Sequence, residues 1–396
     1  MALPPLVSRS ALGLLIAVVL LCPVSWGEVP PPPPRELTAR WQTQVSAQIT
    51  GLDLSRDGQT VALAVAPSDS NADSQLRLYA LDGREKWTAS RRTKILGVSL
   101  AGGGEYVSVG TADFTVVFFS KHGKRLWERP SVGLPVMTPG TSRVVTFNGG
   151  AAGVSQPLLE VFLPGGEKSW SLRRRGRVWR SVVSDQGDLL LGLWNGEVLL
   201  VDRQYHLAWQ QMLPKEIMAL AISPDDAGYF AIGAGVLDQE LYLFERTGKP
   251  VWRRKLPLGL TELSLARRGA SLLTYGNTIR GQHLALYDRN GDVRWTYHIE
   301  EAASGSSKAV IAPTAPLIVA GIERQRQYFL QGFTMSGELL WVAPVSAPIF
   351  DFRVSHDGRY IAAATDDTLF FFDTHPVYGP KAELQPWPGP ASSEHP

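Results

Sequence analysis

Seven histidines, one cysteine and two adjacent pairs of aspartates are the groups in this 396-residue chain most able to do chemistry. Histidines and paired carboxylates hold metals or move protons when they converge. His122, His206, His283, His298, His356, His375 and His395 show neither the i, i+4 spacing of a zinc helix nor an adjacent second ligand. His122 and His356 fall in expected turns, where a polar loop role is the simpler expectation. Asp225-Asp226 and Asp366-Asp367 fall on expected loops. They would offer Ca²⁺ binding or acid catalysis, and solvated turn roles are simpler. There is no Gly-x-Ser-x-Gly nucleophile elbow and no Gly-x-x-x-x-Gly-Lys phosphate loop. No catalytic residue, metal site or cofactor is therefore expected.

One binding signal stands out. Arg173, Arg174, Arg175, Arg177 and Arg180 place five arginines within eight residues, and Arg91, Arg92 and Lys94 form a second basic stretch. Arg253, Arg254 and Lys255 form a third. Guanidinium forks suit carboxylates and phosphates bidentately. An acidic peptide, a phospholipid head group or an anionic polysaccharide would fit them. The alternative is a solvated rim balanced by acidic loops such as Asp69 to Asp73. The whole chain, with 39 basic and 37 acidic residues and a net charge of +2, gives no support for general nucleic-acid binding.

The elements that must carry these residues follow from tryptophan. Trp41, Trp87, Trp127, Trp170, Trp209, Trp252, Trp295 and Trp341 are spaced by 46, 40, 43, 39, 43, 43 and 46 residues. Six of them have a glycine four residues earlier, at Gly83, Gly123, Gly166, Gly248, Gly291 and Gly337. Each glycine closes a turn after an apolar run, as in Leu284-Ala-Leu-Tyr-Asp-Arg-Asn-Gly. Asp82-Gly83 and Asn290-Gly291 are strong hairpin signals, because a type I′ turn needs positive φ at its central residues. A second hairpin lies upstream in each unit, for example Phe352-Arg-Val-Ser-His-Asp-Gly-Arg-Tyr-Ile-Ala-Ala-Ala. Four strands per unit of about 43 residues is the arithmetic of a propeller blade.

The two ends count the blades. The last unit, from Phe350 to Asp373, has no tryptophan strand after it, and the first tryptophan strand, Leu37 to Gln44, has no unit before it. The expected fold is all-β: an eight-bladed β-propeller of four-stranded antiparallel blades, its ring closed by the N-terminal strand completing the last blade. Closure removes exposed sheet edges. The eight tryptophans are expected to be structural, filling gaps between blades with each N–H reaching a carbonyl across the interface. Equivalent links between blades lie on one face, so Arg91, Arg92 and the Arg173 to Arg180 cluster are expected to share a rim.

The segments Leu243-Phe-Glu-Arg-Thr-Gly-Lys-Pro-Val-Trp252 and Leu286-Tyr-Asp-Arg-Asn-Gly-Asp-Val-Arg-Trp295 resemble the quinoprotein-like (PQQ-like) propeller repeat, and more loosely the WD40 repeat. Tyr79-Ala-Leu-Asp-Gly-Arg-Glu-Lys-Trp87 is a further copy. All three have one or two fewer residues before the glycine than the family's Ala-x-Asp-x-x-Thr-Gly-x-x-x-Trp pattern. The resemblance spans roughly residues 36 to 375. It implies either quinone-dependent dehydrogenases, which use Ca²⁺ and often a pair of adjacent cysteines, or non-enzymatic scaffolds. A single cysteine, Cys22, makes the cysteine pair impossible. The resemblance is nearest the BamB-like scaffold branch.

The ends read as follows. Residues 1–27 resemble a secretory signal peptide, with Arg9, an apolar stretch from Ala11 to Leu21 and cleavage before Glu28. Retention as a membrane anchor is the other outcome. Lipidation at Cys22 is disfavoured because Leu21 precedes it. Cleavage would leave a net charge of +1 and no cysteine. Residues 28–36 form a proline-rich linker, 37–375 the propeller, and 376–396 a Pro/Gly/Ser-rich tail expected to be disordered. The composite expectation is a periplasmic or secreted, monomeric, non-catalytic scaffold with no transmembrane span after cleavage. It would bind a protein partner in the cell envelope, or another anionic ligand. The alternatives are an enzyme with its site in the central channel, quinone-dependent or acting on polysaccharide, and a small-ligand sensor.

Overall fold

A computed structural model describes residues 34–378, except residues 68, 70, 71, 139, 141, 150–156, 225–227, 237, 238, 257, 258, 279, 280 and 301–307. The signal segment, most of the proline-rich linker, the C-terminal tail beyond residue 378 and the Asp225-Asp226 pair lie outside the described residues.

Successive hairpins place four antiparallel strands in each of eight sheets. In chain order the blades occupy residues 48–91, 95–130, 135–172, 178–212, 217–256, 259–300, 309–345 and 351–373. Blade 8 has only three strands from its own unit. Trp41–Gln44 supplies the fourth, antiparallel to Thr368–Asp373, with Trp41 opposite Phe371. The ring is thus closed by the N-terminal strand. Upstream of it, Arg35–Glu36 pairs in parallel with the outer strand of blade 7, Arg35 opposite Trp341. That pairing makes blade 7 five-stranded.

Why the middle strands are mostly apolar follows from the packing. Thr60–Ala66, Leu189–Leu193 and Glu197–Val201 are buried at every position, with no in–out alternation. Such strands are covered on both faces by neighbouring sheets. The core is accordingly eight layers, each between two blades. One joins blades 1 and 8 through Ile49, Leu63, Tyr79 and Phe371, and another joins blades 4 and 5 through Leu200, Ile217, Phe230 and Phe244.

The tryptophans are the outer rivets of these layers. The indole N–H of Trp41 donates to Leu81 O at 2.9 Å, Trp87 to Lys121 O at 2.9 Å and Trp127 to Pro164 O at 2.8 Å. Trp252 donates to Arg289 O at 2.8 Å and Trp295 to Met335 O at 3.0 Å. Each bond reaches the outer hairpin turn of the next blade. The glycine in that turn adopts positive φ, and its face receives the indole. A Cβ on Gly83 (φ 84°) would come within 2.9 Å of the Trp41 ring. The repeating glycine therefore serves the preceding blade's tryptophan as well as its own turn. Blade 4 breaks the rule: Tyr205 occupies the turn at φ 67° and stacks on Trp170, centroids 5.4 Å apart.

Candidate functional site: the upper face and the channel

Strand direction divides the loops between two faces. Links between blades and the loops joining second to third strands lie on one, here called the upper face. The remaining turns lie on the lower face. Twelve large apolar side chains are exposed among the described residues, and eight belong to the upper face: Leu96, Phe114, Leu134, Trp179, Trp194, Met212, Val236 and Phe350. Leu126, Leu207, Val251 and Val293 lie on outer strands.

Bulges explain part of this. In five blades the innermost strand slips register near its upper end, between Ile49/Gly51, Ile95/Gly97, Val178/Arg180, Ile217/Ala219 and Leu260/Glu262. The residue left without a partner is Thr50, Leu96, Trp179, Met218 or Thr261. A bulge re-aims its extra side chain out of the ladder. At blade 4 that side chain is Trp179, whose ring meets Trp194 edge-on at 4.6 Å. Arg177 lies over Trp194 at 5.3 Å and Arg180 over Trp179 at 4.7 Å. Arginine and tryptophan thus alternate in one stack, with Trp194 52% exposed.

The basic residues divide into two sets. Arg91 forms a bidentate pair with Glu128, at 3.0 and 2.8 Å. Arg174 pairs with Glu197 and donates to Gln210 Oε1 at 2.8 Å. Arg177 donates to Gly149 O at 3.2 Å, and Arg180 to Met218 O at 2.9 Å. Arg253 pairs with Glu240 at 2.6 Å and Arg254 with Asp292 at 3.0 Å. Arg91, Arg180 and Arg254 join neighbouring blades, Arg174 and Arg177 anchor the link between blades 3 and 4, and Arg253 ties two strands of blade 5. Arg92, Arg173 and Arg175 are exposed and have no ion pair among the described residues. Of the five arginines from Arg173 to Arg180, three are therefore framework and two are available charge.

Glu240 shows what the framework set contributes. The Arg253 guanidinium, the Tyr242 hydroxyl and Lys215 surround its carboxylate and hold its pKa at about 2 against an ordinary 4.5. Its folded pKa is depressed, so its stabilisation is complete above about pH 4.5 and is lost as pH falls towards 2. Glu240→Gln is expected to flatten acid unfolding in that window and to leave the slope above pH 6 unchanged. Urea midpoints collected from pH 2 to 7 check this, and parallel curves for the two proteins would contradict it.

Of the groups that meet on the propeller axis, sequence reasoning named only His356, and that as a turn residue. On the lower face, turns from blades 4, 8 and 1 converge. Asp185 Oδ2 lies 2.7 Å from His356 Nε2, and Asp185 Oδ1 pairs with Arg56. His356 N–H donates to Arg56 O at 2.8 Å. Blades 4 and 8 are opposite in the ring, so Asp185 bridges the channel. Asp185 N–H also donates to Pro224 O, and Thr314 N–H to His356 O. Pro224 and Pro313 line a cavity of about 280 Å³ in the channel, so this bridge adjoins its lower end.

Charged side chains from the innermost strands surround that cavity. Asp351 Oδ1 accepts from Lys308 Nζ at 2.9 Å and from Arg353 Nη1 at 2.7 Å. Arg353 Nε lies 3.5 Å from Asp53 Oδ1, and Asp53 Oδ2 accepts from Leu100 N–H at 2.7 Å. Burial pushes the Asp351 pKa up, but Lys308 and Arg353 outweigh it and leave the carboxylate below its ordinary value. Burial raises Glu262, with Lys308, Arg353 and Arg180 opposing. Among the described residues no three of His, Cys, Asp and Glu are grouped to hold a metal ion. His283 and His298 lie with ring centroids 4.5 Å apart, tilted by 50°, on neighbouring strands of blade 6, where burial and His298 lower the His283 pKa.

A family model described as outer membrane protein assembly factor BamB matches residues 38–222, from the ring-closing strand to the first strand of blade 5. No curated protein matches the chain. Among solved structures, BamB from Moraxella catarrhalis is similar at a TM-score of 0.61 and 14% identity, over 85% of this chain and 99% of that one. Sqt1 from Chaetomium thermophilum is similar at 0.68 and 11% identity, over 85% and 99%. Sqt1 bound to the N-terminus of the ribosomal protein L10 is similar at 0.66 and 12% identity, over 83% and 97%. At these identities the structural likeness is one of fold.

Proposed function

We infer that this chain, a β-propeller of the PQQ-like and WD40-like kind, is a non-catalytic scaffold that holds a protein partner on its upper face. One observation carries this: among the described residues, two thirds of the exposed large apolar side chains, eight of twelve, fall on that face. Scattered exposed apolar residues need no explanation, whereas a concentration on one face marks an interaction surface. Trp194, Trp179 and Met212 on blade 4 are the anchors, because binding energy concentrates in Trp, Tyr and Arg. Arg173 and Arg175 beside them favour an acidic segment. The Sqt1 structure that holds a ribosomal-protein N-terminus, and the assembly-factor family model, favour a protein as the occupant.

The same family model, together with the apolar stretch from Ala11 to Leu21, favours placement in the cell envelope. Among the described residues no helix is long and apolar enough to cross a membrane.

Photo-cross-linking residues placed at Trp194 and Arg175 should capture one discrete protein in cells, while the same residue at Val251 or Leu126 should not. With that protein purified, Trp194→Ala should weaken binding by about 2 kcal/mol or more, as at an interface hot spot. Arg173→Glu with Arg175→Glu should weaken it further and reduce its salt dependence. Equal capture from the outer strands, or affinity indifferent to Trp194, would reject the upper face as the docking surface.

A further inference from the structure

The cavity on the propeller axis has unused hydrogen-bonding capacity of both signs. Three charged side chains line it, Glu262, Lys308 and Arg353. Lys308 Nζ carries three N–H groups and directs two, at Asp351 Oδ1 and Phe352 O, both at 2.9 Å. Arg353 engages Asp351 through Nη1 and faces Asp53 through Nε, leaving Nη2 without a hydrogen bond among the described residues. Glu262 accepts no hydrogen bond from any described residue, although Lys308, Arg353 and Arg180 all act on it electrostatically. Glu262 is half-buried, and a carboxylate so placed with no protein donor is open to a ligand donor. The remaining wall is aliphatic, with Val182, Ile222 and Val310 contributing.

Each of these features asks for a different part of one ligand. The free donors of Lys308 and Arg353 suit a carboxylate, the bare Glu262 carboxylate suits an ammonium, and the aliphatic wall suits an apolar side group. We propose that the channel cavity binds a small zwitterion with an apolar side chain, namely a free apolar α-amino acid. A cavity of about 280 Å³ is of the size that holds small ligands, and pockets of this kind are mostly apolar with a few convergent polar groups. The bridge between Asp185 and His356 adjoins its lower end, so the ligand enters from the upper face. The site is independent of the docking surface above it, since it uses none of the exposed tryptophans or arginines.

The test uses the full chain with L-leucine and L-phenylalanine as probes, read by calorimetry and by the shift in Tm. Leucinamide removes the carboxylate and 4-methylpentanoate removes the ammonium. Saturable one-to-one binding of an amino acid is expected, with both leucine analogues at least tenfold weaker than leucine. Glu262→Gln, which keeps the side chain's shape, should weaken leucine at least tenfold and leave 4-methylpentanoate unchanged. The analogue series on the unaltered protein stands even if that variant folds poorly. The proposal is overturned if neither amino acid gives heat or a Tm shift. It is also overturned if leucine and its analogues bind equally, or if a well-folded Glu262→Gln protein retains leucine affinity.

Discussion

Trp341→Ala is expected to lower unfolding free energy by about 3–5 kcal/mol, the range for truncating a buried tryptophan. The residue is fully buried at the seam where the ring closes. It packs with Leu317, Val319, Leu330, Phe352 and Phe372, and with Leu37 from the N-terminal segment. It differs in one respect from the five equivalents whose indole N–H reaches the next blade. Trp127, for instance, donates to the outer turn of the next blade, at Pro164 O. Blade 8 has no such turn, because its outermost strand comes from the other end of the chain. The Trp341 indole N–H is consequently buried without a hydrogen-bond partner. An orphaned donor carries a desolvation cost that a hydrocarbon ring avoids. Trp341→Phe should therefore cost less than Trp127→Phe, although Trp341 is the more buried of the two. Urea unfolding of the four variants checks both statements. A Trp341→Ala loss under about 1 kcal/mol would mean that the seam contributes little to cooperativity.

Asp351→Ala is the second large effect, expected at about 3 kcal/mol, the lower end for breaking a buried ion pair because Lys308 and Arg353 are only partly buried. The carboxylate is the shared acceptor of Lys308 and Arg353 and also accepts from Phe352 N–H at 2.8 Å. Removing it leaves two like charges facing one another. Burial and then the Arg353 charge already lower the Lys308 pKa, so the loss should fall mainly on Lys308. Replacing all three groups together, Lys308→Met with Asp351→Leu and Arg353→Met, should cost less than Asp351→Ala, since no cation is left unopposed, but should not reach neutrality, because Asp53 and Glu262 lose the cations that face them. Equal destabilisation in the single and triple variants would mean that shape, not charge, governs this part of the channel. The Asp351 contribution also has a pH signature. Its folded pKa is depressed, so its stabilisation is present above about pH 3.8 and is lost as pH falls through the lower folded value.

Much of the fold is legible in the chain because the repeat is local. Turn glycines need positive φ within four residues of each tryptophan, and the apolar runs that precede them are strands covered on both faces. The incomplete units at the two ends complement each other, which is enough to place Trp41–Gln44 in blade 8. Where one side chain replaces another, local spacing misses the substitution. Tyr205 stands in a turn where six repeats have glycine, and its contact with Trp170 is visible only in three dimensions.

The candidate sites were far less legible. Arg173, Arg174 and Arg175 look alike in the chain, yet Arg174 is taken by Glu197 while Arg173 and Arg175 remain exposed. Trp179 and Trp194 fall off the repeat's grid, and a bulge in the innermost strand exposes the first of them. Asp185 and His356 are 171 residues apart. Sequence alone determined the number of blades, their strands and the way the ring closes, because each depends on residues a few positions apart and on copies that can be compared. Which arginines are available, which aromatic rings meet solvent and which charges converge on the axis were decided by the tertiary structure. Closing the ring brings the innermost strands of all eight blades around one axis, and no spacing along the chain encodes that convergence.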